Sequence, residues 1–260
     1  MIPFERYARH FSLEGFSAES QKMLLKSKVL VAGCGGLGSP VISYLVSAGI
    51  GHITLCDGDR VSLSNLNRQF LYRECDVGRY KAERAAEFIK ESSSSTSIII
   101  FNERLMSSNY GKMIKDIDLI IDCTDGLTTK YFINDLSVIT GIPLVHGAVS
   151  SYEGQLMTIT KEHACLRCVF PEIPPKASIP TCSQVGILGA SCGIIGSLMA
   201  LEAVKFLIDK EYKAEFSGKF TSLDLYKPTM KSFEVSKNPE CPICGSNPSV
   251  DPNFQNDYVL

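Results

Sequence analysis

Two Cys-x-x-Cys pairs, Cys165/Cys168 and Cys241/Cys244, and a glycine-rich loop at Gly33, Gly35, Gly36 and Gly38 carry the plainest chemistry in this sequence. Either pair alone would also suit redox exchange. Two pairs together, four sulfurs with no histidine among them, predict a closed structural zinc site. Their separation is too long for a zinc finger, so a shared metal would tie a central loop to the C-terminal tail. The glycines follow G-x-G-x-x-G, with Gly36 as an extra glycine inside the loop. Such a loop lets backbone approach a pyrophosphate while the next helix points its N-terminus at the anion. Asp57, about twenty residues further on, stands where a Rossmann-type site needs a carboxylate for ribose hydroxyls. Cys182, in IPTCSQVGILG, precedes a helix N-terminus, where the macrodipole favours a thiolate. Cys192, inside the apolar helix that follows, reads as inert core.

These residues need elements to hold them. KVLVAGCGGLG, Lys28 to Gly38, reads as an apolar strand, a tight turn and the start of a helix over Ser39 to Gly49, with Pro40 in its first turn. His52 to Cys56 is a second strand, ending at Asp57. Gly58 to Tyr72 is polar and without period, placed just past a strand's carboxyl end, where doubly wound sheets put ligand contacts. Arg68 and Lys81 lie in or just after it; by themselves they read as solvated charges. A helix from Lys81 to about Glu91 and a strand at Ile98 to Phe101 follow. Ile117 to Cys123 is continuously apolar, as a buried parallel strand should be, and ends in Thr124-Asp125-Gly126. Then come a helix from about Thr129 to Thr140 and strands at Pro143 to His146 and Gly154 to Thr160. A proline-rich crossover over Ala164 to Thr181 precedes tail strands near Phe220 to Leu225 and Met230 to Val235.

Ahead of the first strand, Phe4 to Phe11 reads as a solvated helix face with its aromatics packed down, and Ser17 caps a short amphipathic helix to about Lys26. Gly186 to Ile208 is apolar for about a membrane's thickness, but Glu202 and Lys205 interrupt it and its glycines suit close packing. The expectation is a fully buried helix, at a dimer interface, and no membrane span. The alternation of elements predicts an α/β fold: a Rossmann-like, doubly wound, mostly parallel sheet with C-terminal antiparallel strands and a structural zinc site. Residues 1–26 form an N-terminal helical arm, 27–150 the nucleotide-binding part, 151–250 the crossover, partner-binding and zinc-bound part, and 251–260 a flexible tail.

At 260 residues the chain has room for one large α/β domain with an appended piece. A net charge of −2 and a pI of about 6.1 exclude a basic surface for nucleic acid or an anionic membrane. Met1 to Gln21 has no apolar h-region, so a cytoplasmic protein is expected, in which ten cysteines point to metal or catalytic thiols rather than disulfides.

Taken together, RYARH, GCGGLG, the Asp57 strand end, SLSNLNRQ, VGRYKAE, DCTDG, EGQLM, CLRC, PTCSQVGILG, GSLMALEAVK and CPIC resemble, in that order, the ThiF/MoeB adenylyltransferases, relatives of the ubiquitin-activating enzymes. The resemblance runs from about Arg6 to Cys244. It implies ATP-dependent adenylation of the C-terminal glycine of a small ubiquitin-like sulfur carrier ending in Gly-Gly, of ThiS or MoaD type, for thiamine or molybdenum cofactor sulfur transfer. It implies that Asp57 holds the ATP ribose, that Asn65, Arg68 and Lys81 contact the phosphates, and that Asp125 binds Mg²⁺. Arg9 would reach into the partner subunit's site, which implies a homodimer. Cys182 matches the cysteine that some members use to pass on sulfur, with a cysteine desulfurase or another sulfur donor as a further partner. Gly126 departs from the family's usual asparagine. A carboxylate is already ionised at neutral pH, so no general base is required and His10, His52, His146 and His163 read as structural. Two rivals remain: an NAD-dependent oxidoreductase, which leaves Arg68, Lys81, Asp125 and the cysteines unused, and a non-catalytic carrier-binding subunit, which would be expected to lose Arg68 or Asp125.

Overall fold

The computed structural model of the chain describes residues 5–174, 185–208, 217–251 and Tyr258. Its centre is one eight-stranded sheet in the order β3-β2-β1-β4-β5-β6-β7-β8. β1 (Lys28–Ala32), β2 (His52–Cys56), β3 (Ser97–Phe101) and β4 (Leu119–Asp122) are parallel, and β5 (Leu144–Ser150) joins them alongside β4. β6 (Glu153–Ile159), β7 (Lys219–Asp224) and β8 (Thr229–Glu234) continue antiparallel, as expected. β5 runs past the expected Pro143–His146 for a topological reason. Only Leu144 to His146 pairs with β4, whereas the whole strand pairs with β6.

Strand alternation divides the core in two. Val29 and Val31 of β1 face α2 (Gly38–Ala48) and α3 (Lys81–Ser92), while Leu30 and Ala32 face α5 (Leu127–Thr140) and the cysteine pairs. Two single-turn helices, α4 (Tyr110–Met113) and α6 (Leu166–Val169), lie on the second side. Ser17 caps α1 (Ala18–Lys26) as expected, its hydroxyl accepting the Ser20 N–H. Phe4 to Phe11 departs from expectation: residues 5–9 are turns leading into a short 3₁₀ turn, and the segment is anchored by Tyr7, which is 1% exposed.

α7 (Gly189–Ile208) is long and apolar enough to cross a membrane, yet it packs on α2 and β5 with about half its residues buried. Gly196 makes that crossing close, since a Cβ there would lie 2.3 Å from Pro40 Cγ and 2.8 Å from the Leu37 carbonyl. The expectation of a fully buried helix is corrected. The sheet covers one side only, and Ile194 (46%) and Leu201 (55%) stay exposed. Tyr258, in the stretch read as a flexible tail, hydrogen-bonds Asp135 at 2.6 Å and sets its ring edge-on to Phe132.

Candidate functional site

The carboxyl ends of β1, β2 and β4 open on a cleft of about 410 Å³, lined by Gly33, Gly35, Gly36, Asp57, Arg68, Lys81 and Asp125. The glycine loop begins at φ 93° in Gly33, where a Cβ would stand 2.7 Å from the Cys123 carbonyl, so no other residue fits. Gly38 lies behind the loop rather than in the cleft wall, against the Gly33 carbonyl. The N–H groups of Gly35 and Gly36 donate to nothing among the described residues, which leaves them to an anion ahead of α2.

Asp57 is tied to the loop it serves. One carboxylate oxygen accepts the Cys34 N–H at 2.7 Å and the other the Asp59 N–H at 2.8 Å. Burial pushes its carboxyl up, and Lys81 with the two N–H groups pulls only part of that back. Next to it, Asp59 receives Lys81 Nζ at 3.1 Å and Arg104 at 2.9 Å on separate oxygens. Partial burial would raise Asp59, but these two cations hold it below the usual carboxylate range. Lys81 is thereby aimed into the cleft although only 6% exposed.

On the α5 side, Asp122 at the end of β4 is fully buried and organises the Asp125 turn. Its Oδ1 accepts both the N–H (3.0 Å) and the hydroxyl (2.6 Å) of Thr124. Its Oδ2 accepts Lys130 Nζ at 3.1 Å and His146 Nδ1 at 2.9 Å, and Lys130 also reaches the Gly147 carbonyl at 2.6 Å. Burial alone would raise Asp122; Lys130 and His146 outweigh it and hold the carboxyl well below its ordinary value. Burial, with Lys130 beside it, lowers His146 despite the carboxylate, so the ring is a neutral N–H donor there. A histidine depressed in the fold favours folding fully above its unfolded pKa of about 6.5, and that contribution is lost as pH falls through the lower folded value. His146→Gln should therefore flatten the fall of the unfolding midpoint as pH drops from about 6.5 to that lower value, measured by thermal melts. An unchanged pH profile would show that another group titrates there.

Besides Gly38, two residues expected in the nucleotide site, Asn65 and Arg9, do not line the cleft. Asn65 spends its side chain on the Ser62 N–H (3.3 Å) and its carbonyl on the Arg68 and Gln69 N–H groups, shaping the loop that presents Arg68. Arg9 sits at the far end of the domain. Tyr7 beside it packs on Gly49 at the end of α2, and Arg6 donates to the Ser92 carbonyl at the end of α3. α2 and α3 both start at the cleft and run eleven and twelve residues away from it, about 16–18 Å. Cys182 lies outside the described residues. At Gly126, the N-cap of α5, no side chain caps the helix, and a Cβ there would come no closer than 3.4 Å to its neighbours.

The four cysteines of the two Cys-x-x-Cys pairs meet beneath the second core. Their sulfurs lie within 4.8 Å of one another, with Cys165 to Cys241 at 3.6 Å and Cys168 to Cys244 at 3.3 Å. Burial, with the neighbouring thiols, raises Cys165 and lifts Cys244 to about 12. Burial works against Cys168 too, but N–H donors from Asn238 and Cys165 hold it low. Four sulfurs so placed could hold one cation, and an all-sulfur donor set of this kind suits zinc. His10, His52 and His163 bond Gln21, Ser97 and Thr160 and belong neither to the cleft lining nor to the four-sulfur set.

Residues 7–243 match the ThiF family. The chain belongs to that family. This ThiF-family chain is 38% identical to the SAMP-activating enzyme E1 of Haloferax volcanii, over 98% of its length and 93% of the relative's. It is 36% identical to the sulfur carrier protein adenylyltransferase of Thermus thermophilus, over 94% and 92%. With the adenylyltransferase and sulfurtransferase MOCS3 of Caenorhabditis briggsae it shares 37% identity, spanning 63% of that longer chain. The crystal structure of Escherichia coli MccB with MccA-N7isoASN has the same fold, with a TM-score of 0.83 over 94% of this chain and 75% of that one at 22% identity.

Sequence reasoning missed Asp59, Gln69, Arg104, Asp122 and Lys130. Asp59 had a signal: it stands two residues past Asp57, at the same strand end. Lys130 could have been found as a first-turn residue of the helix after Asp125. Arg104 has no local signal, because only the pairing of β2 with β3 carries its loop to Asp59.

Proposed function

We propose that this chain adenylates the C-terminal carboxylate of a small ubiquitin-like sulfur carrier ending in Gly-Gly, consuming ATP and releasing pyrophosphate. The observation that carries the reading is the convergence of the glycine loop, Asp57, Arg68, Lys81 and Asp125 on one cleft. Relatives named for activating or adenylating such carriers support it. In this reading residues 27–150 hold ATP, and residues 151–250 receive the carrier and carry the zinc.

The carboxylate is a weak nucleophile toward the α-phosphate, so the protein must align it and neutralise the charge that develops. The Gly35 and Gly36 N–H groups, Arg68 and Lys81 take the phosphates, and Asp57 takes the ribose hydroxyls. Asp125, an exposed carboxylate at the cleft with a hard oxygen donor, would hold Mg²⁺, which neutralises phosphate charge when bound. Asp122 and Thr124 keep that turn in place. No proton has to be removed from the attacking group. Arg9 acts on the partner's nucleotide, and the apolar residues that α7 leaves exposed offer a surface for the second chain. Cys182 would take part in onward sulfur transfer, from a cysteine desulfurase or another donor.

Carrier-dependent exchange of labelled pyrophosphate into ATP is the test, run with ThiS-type and MoaD-type carriers separately. Exchange should require Mg²⁺ and vanish in Asp125→Ala, whose exposed site leaves the fold intact. Hydride transfer to NAD without exchange on any carrier would overturn the reading. The carrier that supports exchange assigns the pathway.

A further inference from the structure

Gln69 lines the cleft wall with a side chain that neither the fold nor the chemistry above uses. Its backbone is fully engaged: the N–H donates to Asn65 at 3.0 Å and the carbonyl accepts the Tyr72 N–H at 3.2 Å. Its side chain lines the cleft while the residue is only 4% exposed. Among the described residues Oε1 is shut away from solvent with no hydrogen-bond partner. Nε2, at the other end of the carboxamide, lies 3.6 Å from where a Cβ on Gly35 would stand, at the lip of the glycine loop.

A buried acceptor left without a donor is a net loss to the fold, and each such group in a native protein requires an explanation. Methionine or leucine would fill nearly the same volume without that loss. Retention of the amide is explained if its far end has work in the cleft. That end is a donor, and it stands against Gly35 of the glycine loop and next in sequence to Arg68. The nucleotide group that offers acceptors only is the phosphate chain, whereas ribose hydroxyls belong with the Asp57 carboxylate.

We propose that Gln69 binds the phosphate chain of the nucleotide, with Nε2 donating beside the glycine-loop N–H groups. A neutral donor adds direction to a site whose charge Arg68 and Lys81 already supply. The inference rests on reading the cleft as a nucleotide site, and it is independent of which carrier is adenylated.

The test is calorimetric titration of the full-length protein with Mg·ATP, for wild type, Gln69→Met and Gln69→Glu, together with thermal unfolding without nucleotide. Gln69→Met should bind ATP about 10- to 100-fold more weakly, the size of a hydrogen bond to a charged group. Gln69→Glu should bind at least as weakly, because its carboxylate repels phosphate. Without nucleotide, Gln69→Met should melt at or above the wild-type midpoint, since it removes an unmet polar atom. An ATP affinity within about twofold of wild type overturns the proposal. So does a midpoint several degrees below wild type, which assigns Gln69 to the fold instead. If wild type binds ATP but no carrier supports exchange, the proposed function fails while Gln69 is still judged by its affinity. If wild type binds no nucleotide, both fall.

Discussion

Mixed in equal amounts, the Arg9→Ala and Asp125→Ala variants should recover about a quarter of wild-type exchange activity, although each alone is inactive. Arg9 cannot serve its own cleft, because Tyr7 and the Arg6–Ser92 contact fix its segment at the far ends of α2 and α3. That is farther than an arginine side chain reaches, so any phosphate it meets belongs to a second chain. In a mixed dimer one site then carries both defects and the other neither. Random exchange makes about half the dimers mixed, each with one intact site of two. The inactivity of Arg9→Ala follows from the role: an arginine supplied across an interface stabilises charge on the leaving pyrophosphate, and by analogy with arginines that serve phosphoryl transfer it contributes about a thousandfold in rate. If the mixture stays as inactive as either variant, while native mass spectrometry shows exchanged chains, Arg9 does not act across the dimer. Dilution below the dimerisation constant should also lower the wild-type rate.

Cys241→Ser should release about one zinc per chain and loosen the C-terminal part of the fold, leaving the exchange chemistry of the intact fraction in place. The metal would join Cys165 and Cys168 to cysteines 76 positions further along the chain. As a crosslink closing so long a loop, it contributes about 4 kcal/mol on loop-closure grounds. Limited proteolysis of the variant should therefore cut first within residues 217–251. Wild-type protein without metal, and with all four thiols freely titratable in its native state, would falsify the zinc assignment.

The sequence by itself determined what depends on neighbours along the chain. The strand–turn–helix at Gly33 to Gly38, the strand end at Asp57 and the two Cys-x-x-Cys turns are local devices, in which residue type and spacing nearly dictate geometry. The alternation of apolar runs with amphipathic stretches was enough for the parallel core and the antiparallel edge. Arg68, Lys81 and Asp125 were picked out through a resemblance, because single charges in polar loops carry no pattern of their own. The tertiary structure alone decided which groups answer one another. Asp59 bridges Lys81 and Arg104 because β2 and β3 pair in one register, and Asp122 meets Lys130 and His146 because α5 and β5 close over the end of β4. It also decided how far each strand runs, since β5 is extended by its antiparallel partner, and which side of α7 stays bare. Such contacts join residues up to 45 positions apart in the sequence. Their energies depend on burial and register, and neither is written in any short stretch of chain.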